Sequence, residues 1–313
     1  METETTNITS NQIDITIHKA VSTLLSGLGT IINSVAIIAV LKGKLYSQKT
    51  FKVVLNLFVS NLMMSAVALP LFIVPAFLTF PGNDVTCPFS GFIIYSFCGV
   101  CLLSNILISV HHYILIVHIT KYEAICSVRN TWIALLFTWF LPPFMFIFPL
   151  TEVWGRFIFD QRTLDCTAMN NLDSYRIYIL ISSFFTCFPP FTFCYIAITR
   201  KAISTRHQIT IMQTENRQRI TEQRQLIRTI LLIITIFTAM NLPYFIFTLW
   251  DPQKVKVNLS VHSLALYLGM CNYFFNTLVF LTTNRHMKLS LQKTLRFMFK
   301  TMWTILILIS KLN

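Results

Sequence analysis

The chain has 313 residues, of which 54% are hydrophobic and only 12% carry a charge. Soluble domains contain about 25% charged residues, so this chain cannot cover itself with an ordinary water-facing surface, and lipid must be the solvent for much of it. The net charge of +13 does not indicate nucleic-acid binding, because the loops lack interleaved aromatic and basic residues. No nucleic-acid partner is expected.

Seven segments of at least 22 residues contain no Asp, Glu, Lys or Arg. A helix needs about 20 apolar residues to cross the hydrocarbon core, so each segment can cross once. Barrel strands are excluded because they are short and alternate in polarity. The sequence predicts an all-α, seven-transmembrane helix bundle with a short cytoplasmic amphipathic helix. The predicted spans are about 17–42, 51–78, 85–119, 130–151, 174–200, 222–250 and 258–283.

The predicted domain organisation is an extracellular tail over 1–16, a transmembrane domain over 17–283 and a cytoplasmic segment over 284–313. The tail is acidic and polar, whereas a cleaved signal peptide has a basic start, so the first span is expected to be retained. Segments after the odd-numbered spans hold 19 of the 25 basic residues and three of the 12 acidic ones. Basic residues mark the cytoplasmic side, which predicts a multi-pass plasma-membrane protein with its amino terminus outside.

Two sequons fit this orientation, at Asn7 in the tail and Asn258 before the last span, and both are expected to be glycosylated. Cys87 lies at the outer end of the third span and Cys166 in the second outer loop. Disulfides persist on this oxidising side, so we expect these two cysteines to pair.

The inner ends of the last two spans continue as amphipathic sequence. RQRITEQRQLIRTI repeats Arg at helical spacing, which predicts that the sixth helix extends inward past the bilayer. The stretch after Asn284 places Met287, Leu291, Leu295 and Met298 on one helical face. A basic helix with such a face is typical of one lying on the inner leaflet, so the lipid bilayer is an expected partner.

Short motifs recur at fixed places in these spans. Cys87 is followed 25 residues later by His112, within His111-His112-Tyr113. Asn33 lies in the first span, NLFVSNLMM in the second, Trp139 in the fourth, FCYIAI in the fifth, Phe237-Thr-Ala-Met-Asn-Leu-Pro243 in the sixth and Asn276-Thr-Leu-Val-Phe280 in the seventh.

This arrangement resembles a divergent rhodopsin-like (class A) G-protein-coupled receptor over about 27–297. CPFSGFI, TKY and FCYIAI are most similar to the melatonin-receptor-like group and its invertebrate orphan relatives. The resemblance implies that an outside ligand shifts a two-state bundle, that the sixth helix swings about Pro243, and that a heterotrimeric G protein enters the inner cavity. The residues implied in activation and coupling are His111, His112, Tyr113, Tyr195, Phe237, Pro243, Asn276 and Phe280.

Several positions depart from the family pattern. His112 stands in the place of Arg and Asn61 in the place of Asp. Asn241 stands in the place of the helix-six Trp, and Thr277 in the place of the helix-seven Pro. An imidazole is shorter than a guanidinium and mostly neutral at pH 7, so His112 is either a specific switch or one of two polar side chains facing the inner cavity. Asn61 is expected to form a polar core by bonding Asn33 and Asn276.

The charge-free spans restrict the ligand. Ile94 occupies the position of the helix-three Asp of amine receptors, and Met270 occupies that of the helix-seven Lys of opsins. The pocket is predicted to suit an apolar or weakly polar small molecule, with a peptide as second choice. Its expected lining is Ile94, Tyr95, Phe97, Cys98, Asn241, Tyr244, Phe245, Tyr267 and Met270.

Other functions remain as alternatives. A receptor-like decoy or scaffold that no longer couples to G protein fits the altered motifs, whereas a transporter or channel is less favoured because the spans lack charged groups and repeated halves. No phosphate loop, His-Glu-x-x-His motif or intramembrane carboxylate pair occurs, so the chain is expected to be no enzyme and to hold no cofactor or metal.

Overall fold

A computed structural model describes residues 2–78, 86–160, 165–167, 174–209, 217–251 and 256–310. Within these ranges, seven helical segments are long and apolar enough to cross a membrane. The predicted seven-helix bundle is therefore confirmed. The segments are Ile15–Lys42, Lys49–Ile73, Thr86–Val117, Val128–Leu150, Ile177–Ser204, Ile227–Trp250 and Leu259–Thr283.

The bundle is followed by one further long helix and carries a small hairpin. In chain order, the elements are α1 Glu2–Lys42, α2 Lys49–Met63, a π-helical turn Met64–Ala68, α3 Leu69–Leu78, α4 Thr86–Val117, α5 Tyr122–Ile125, α6 Val128–Leu150, β1 Ile158–Asp160, β2 Asp165–Thr167, α7 Ser174–Ile209, α8 Arg217–Trp250, α9 Leu259–Thr283 and α10 Arg285–Ser310. The sixth spanning helix extends beyond its apolar span, because α8 begins at Arg217 whereas the span begins at Ile227. That this extension lies on the inner side stays a prediction.

The second span changes register between α2 and α3. Pro70 follows the π turn and has no N–H to donate, so in the π register the carbonyl of Ser65 lacks its partner five residues on. The Ser26 hydroxyl of α1 donates to this carbonyl at 2.8 Å. The break in the helix is thus closed by a hydrogen bond from a neighbouring helix.

A second polar contact joins three helices in the middle of the bundle. The Trp139 indole of α6 donates to Asn56 Oδ1 at 2.7 Å, and Asn56 Nδ2 donates to Ser104 Oγ of α4 at 2.8 Å. Both groups of the Asn56 amide are therefore satisfied away from water. Beside this contact, the largest apolar core contains the fully buried rings of Phe58, Phe191 and Phe280.

The hairpin lies over one end of α4. Its strands are antiparallel, and Phe159 is opposite Cys166. Cys166 forms a disulfide with Cys87 in the first turn of α4, as predicted. The Phe157 ring packs so closely on Gly91 that a Cβ there would overlap it, so the missing side chain lets the loop approach the helix.

The last helix folds back against α1. It starts after Asn284, whose side chain accepts the Met287 N–H at 3.1 Å. Ser290 donates to the Ala39 carbonyl at 2.5 Å. Met287, Ser290 and Thr294 are buried, whereas Leu295 is 37% exposed. The small hydroxyl side chains of Ser290 and Thr294 permit the close approach to α1, and contact of Leu291 and Leu295 with the inner leaflet stays a prediction.

Trp139→Phe should destabilise the bundle, because it leaves Asn56 Oδ1 without its donor. Hydrogen bonds of this kind in membrane proteins contribute about 0.6–1.7 kcal/mol. We expect a lower midpoint of thermal unfolding for the purified protein in detergent. Trp132, which is 53% exposed, provides the control, and an equal loss in Trp132→Phe would contradict the assignment.

Candidate functional site

The centre of the bundle contains an open space beside Cys98. This thiol lies in the middle of α4 and is exposed, yet the Tyr273 hydroxyl of α9 donates to its sulfur at 3.5 Å. Cys187 of α7 also lies close to the thiol. Since its neighbours come from helices on different sides, the exposed surface of Cys98 faces the interior of the bundle.

The α8 side of this space is formed by Asn241 and Tyr244. Tyr244 lies near Tyr273. The Asn241 carbonyl oxygen faces Gly269, where an added Cβ would lie 3.7 Å away, and its amide donates to the Phe237 carbonyl at 2.8 Å. We refer to Cys98, Asn241, Tyr244 and Tyr273 as the central site. Its groups are a thiol, an amide and two phenols, so it can offer hydrogen bonds but no charge.

The other predicted pocket residues lie in different surroundings. Phe245 is buried and packs on Phe188, with ring centroids 5.3 Å apart. Tyr95 lies 3.2 Å from the Thr167 hydroxyl and contacts the rings of Phe146 and Phe157. The remaining predicted residues belong to an apolar cluster that also contains Leu25 and Phe72 of other helices. They are Ile94, Phe97, Tyr267 and Met270.

Sequence reasoning did not single out two residues of the outer half. Tyr273 follows Met270 by three residues, so helical spacing could have placed it one turn deeper on the same face. His18 of α1 lies 2.9 Å from the Tyr267 hydroxyl. No motif pointed to His18, because its role depends on which helix α1 packs against.

A polar core joins α1, α2 and α9 through Thr277. Its hydroxyl donates to Asn33 Oδ1 at 2.6 Å and lies 3.4 Å from Asn61 Nδ2. Asn276 instead donates to Asn105 of α4 at 2.8 Å. The prediction that Asn61 bonds Asn33 and Asn276 directly is thus wrong. Thr277 stands in the place of the Pro of the rhodopsin-like pattern, and its hydroxyl lies between Asn33 and Asn61.

At the other end of α4, the two adjacent histidines are buried. His112 is fully buried, and its Nδ1 lies 2.7 Å from the Ile108 carbonyl. A carbonyl accepts hydrogen bonds only, so Nδ1 carries the proton and donates it. His112 therefore packs within the bundle instead of facing a cavity. His111 is also buried, and its ring lies edge-on to Tyr122.

Tyr122 connects the short α5 to both α4 and α2. Its hydroxyl lies 3.4 Å from His111 Nε2 and 3.3 Å from the Thr50 hydroxyl. Burial raises the pKa of Tyr122, so the phenol stays protonated and can donate. Lys49 forms an ion pair with Glu123 beside it, but Glu123 is exposed and such pairs contribute little. The neutral Tyr122 contacts are therefore the more important attachment.

The remaining residues implied in activation are distributed along the bundle. Tyr113 lies 2.9 Å from His118 Nε2. Phe237 packs on Phe191 at a centroid distance of 4.7 Å, and Phe280 meets Phe58 edge-on at 5.9 Å. Pro243 lies inside α8. Tyr195 is 41% exposed on α7, so in this conformation it stands apart from the buried set.

The inner ends of α8 and α9 are joined by neutral hydrogen bonds at Thr283. Gln225 Nε2 donates to the Thr283 carbonyl at 2.7 Å, and the Thr229 hydroxyl donates to the Thr283 hydroxyl at 2.9 Å. Thr229 is fully buried. These contacts hold the first turns of α8 against the last turn of α9, and we call them the Thr283 contacts.

The two sequons differ in what the structure describes. Asn258 is exposed and caps α9, where its Oδ1 accepts the Ser260 N–H at 3.0 Å. Asn7 lies in α1, in a part for which side chains are not described. Glycosylation at both positions stays a prediction.

A bundle of seven spanning helices, with a central site and a disulfide-linked outer hairpin, is the architecture of a heptahelical membrane receptor. The sequence profile of the 7 transmembrane receptor (rhodopsin family) matches residues 32–280. The chain therefore belongs to the rhodopsin family of seven-transmembrane receptors. The family and the fold are those of receptors, which are not enzymes.

Curated relatives are similar over parts of their length. The chain is 28% identical to the protein trapped in endoderm-1 of Drosophila melanogaster, over 45% of this chain and 37% of the relative. It is 26% identical to the melatonin receptor type 1C of Gallus gallus, over 56% and 51%. A third relative is the G-protein coupled receptor moody of Drosophila pseudoobscura pseudoobscura, 29% identical over 44% and 21%. The chain thus spans about half or less of these relatives.

The solved structure of squid rhodopsin has the same fold. Its TM-score to this chain is 0.75, with 17% identity, over 91% of this chain and 87% of rhodopsin. At that identity the similarity concerns the architecture alone.

Thr277→Val should weaken the polar core, because Asn33 Oδ1 loses its donor and Asn61 Nδ2 loses its acceptor. At about 0.6 kcal/mol for an average intramembrane hydrogen bond, the total loss is roughly 1 kcal/mol. Thermal unfolding of the detergent-purified protein checks this. Thr277→Ser keeps the hydroxyl and should unfold like the unmodified chain. If Val and Ser behave alike, the bridging role is refuted.

Proposed function

We propose that this protein is a plasma-membrane receptor that transmits the binding of an extracellular ligand at the central site to a heterotrimeric G protein on the cytoplasmic side. The observation that carries the proposal is the exposed thiol of Cys98, which faces inward among α4, α7 and α9. We place the ligand against this surface. From there, α9 continues through Thr277 to the Thr283 contacts.

The proposed orientation places the amino terminus outside. The Cys87–Cys166 disulfide lies at one end of the bundle, and disulfides persist on the extracellular side. Exposed basic residues occur near the opposite end, at Arg224 and Arg228 of α8 and at Arg285 of α10. Basic residues favour the cytoplasmic side, so both features support the same orientation.

The proposed ligand is a small apolar or weakly polar molecule, with a peptide as second choice. Phenols at Tyr244 and Tyr273 and the amide of Asn241 can orient it through hydrogen bonds. A charged ligand would lose its hydration without gaining an ion pair at these residues. The family's Trp position is occupied by Asn241, which leaves more room at the base of the site.

The proposed mechanism is a two-state shift in which α8 moves about Pro243. In this structure, the inner end of α8 is bonded to α9 by Gln225 and Thr229 at Thr283. His112 is fully buried and bonds the Ile108 carbonyl of its own helix. It therefore does not supply the long cationic contact that the family's Arg makes. Opening therefore requires loss of the Thr283 contacts, and a ligand that favours the open state must offset their free energy.

A receptor-derived decoy is the second candidate. The burial of His112 favours it, because an imidazole with no exposed surface cannot contact a G protein unless α4 rearranges. The two functions differ in whether the unmodified chain activates G protein.

Thr283→Val should raise basal G-protein activation, because it removes the hydroxyl contact between α8 and α9 and leaves the Thr229 hydroxyl only the Gln225 carbonyl of its own helix. A loss of about 0.6 kcal/mol corresponds to roughly a threefold shift toward the open state. The readout is ligand-independent activation at equal surface expression. Thr282→Val is the matched control, since the Thr282 hydroxyl donates to carbonyls of its own helix. Equal activation by both variants would contradict the proposed latch.

Basal G-protein activation in cells expressing the unmodified chain, beside His112→Arg, separates receptor from decoy. We expect a signal above that of untransfected cells from the unmodified chain. Silence of the unmodified chain together with signalling by His112→Arg would assign the decoy function. Thr120→Arg, at an exposed position eight residues on, controls for added positive charge and should leave the signal unchanged.

A further inference from the structure

The side-chain amide of Asn241 differs from the other amides of the bundle. The Asn56 oxygen accepts the Trp139 indole N–H at 2.7 Å. Among the described residues, the Asn241 oxygen accepts no hydrogen bond, although Asn241 is only half-buried. The oxygens of Asn61 and Asn276 also lack a donor, but they are sealed from any solvent, whereas the Asn241 oxygen is not. Asn241 therefore presents an accessible acceptor inside the bundle.

The orientation of this amide is fixed by its own helix. Asn241 Nδ2 donates to the Phe237 carbonyl at 2.8 Å. A carbonyl oxygen only accepts hydrogen bonds, so the nitrogen must lie on that side of the amide and the oxygen on the other. The oxygen faces Gly269 of α9, where an added Cβ would lie 3.7 Å from it. The acceptor is thus directed from α8 toward α9.

The space over Gly269 is open. Apart from its own stretch of helix, an added Cβ there would have only the Asn241 oxygen within 4 Å. At Gly29, Gly91 and Gly99 an added Cβ would instead overlap a neighbouring side chain, at distances of 2.2, 2.6 and 2.7 Å. Those glycines permit close packing, whereas Gly269 leaves an unfilled space beside an acceptor. We call Asn241, Gly269 and the space between them the Asn241 notch.

The notch opens on the central site. Gly269 and Tyr273 are four residues apart in α9, so they share one helical face. The Tyr273 hydroxyl donates to the exposed thiol of Cys98 at 3.5 Å. The notch therefore lies one helical turn from Tyr273, in the wall of the same open space. The inference below rests on the proposed ligand role of the central site and specifies which ligands that site accepts.

The chemistry of the notch selects a functional group. An amide oxygen accepts hydrogen bonds and cannot donate them, so the ligand atom beside it must carry an N–H or O–H. Residues 229–250 of α8 and 257–284 of α9 contain no Asp, Glu, Lys or Arg. An ammonium group would lose its hydration there without gaining a counter-charge. We propose that the Asn241 notch binds an uncharged hydrogen-bond donor of the ligand, the O–H of an alcohol or the N–H of an amide.

A ligand of the same shape without a donor is bound more weakly for a specific reason. It covers the Asn241 oxygen and removes it from solvent without replacing the lost hydrogen bond. Sites built to bond an O–H or N–H reject analogues that lack this group, because the polar group of the site is left unpaired. One net hydrogen bond corresponds to about a five- to tenfold difference in affinity. The notch therefore discriminates alcohols and amides from ethers and esters.

The test uses two photoaffinity probes on the purified full chain in phosphatidylcholine nanodiscs. One probe is a diazirine-bearing benzyl alcohol, and the other is its methyl ether, which keeps the ring and loses the donor. Mass spectrometry quantifies labelling of the segments 237–245 and 266–273 against the amount of probe per lipid. We expect half-maximal labelling by the alcohol at about a five- to tenfold lower amount than by the ether.

Two variants assign the preference to the notch. Asn241→Leu removes the acceptor at similar size, so both probes should reach half-maximal labelling at the same amount. Gly269→Ala adds a Cβ at ordinary contact distance from the Asn241 oxygen and should weaken labelling by the alcohol severalfold. Ala is the better helix former, so the midpoint of thermal unfolding should not fall. Gly27→Ala makes the same change at an exposed position where the Cβ meets nothing within 4 Å, and it should label like the unmodified chain.

The proposal is overturned if the two probes label the unmodified chain equally, or if neither labels it. A preference for the alcohol that persists in Asn241→Leu also overturns it, as does equal labelling of Gly269→Ala and Gly27→Ala. Labelling is measured without a G protein, so a negative result here leaves the basal activation of the unmodified chain and of His112→Arg to decide between receptor and decoy. Conversely, absence of G-protein activation leaves the probe preference intact.

Discussion

The structure depends on the absence of water as a hydrogen-bonding partner inside the bilayer. Helices satisfy the backbone, and a buried polar side chain is costly unless it bonds a group on its own or a neighbouring helix. The charge-free spans leave amides, hydroxyls and imidazoles for this purpose. Neutral bonds of this kind connect Trp139 to Asn56, Thr277 to Asn33 and Thr229 to Thr283. They hold the helices together without the burial of an unpaired charge.

The departures from the family pattern have related consequences. Asn61 stands in the place of an acid and His112 in the place of an arginine. Asn241 stands in the place of a tryptophan and Thr277 in the place of a proline, and both can form hydrogen bonds through their side chains. Thr277 bridges three helices, and Asn241 donates to its own helix while facing Gly269. The bundle has thus replaced ionic and bulky contacts with short-range hydrogen bonds. A conformational change in this protein must break several weak bonds instead of one ion pair.

The fold could be predicted because hydropathy alone fixes the spans, and the cysteine positions indicated the disulfide. Partners inside the bundle could not be predicted equally well. Spacing specifies the face of a helix but not the residue it meets, so Thr277 was missed as the bridge. The position of a residue on a helical face also does not reveal whether its ring lines open space or packs on a neighbour. Phe245 was predicted to line the pocket but packs on Phe188. The π turn after Met63 shifts the register of Phe72 in a way that periodicity does not predict.

The attachment of α1 at both ends has a mechanical consequence. Its outer half is bonded to α9 by His18 and Tyr267, and its inner end receives Ser290 of α10 on the Ala39 carbonyl. Asn33 adds a third attachment between them through Thr277. With fixed points along its length, α1 forms a rigid frame with α9 and α10. In the proposed two-state shift, α8 moves about Pro243, and these three helices provide the reference against which its displacement is measured.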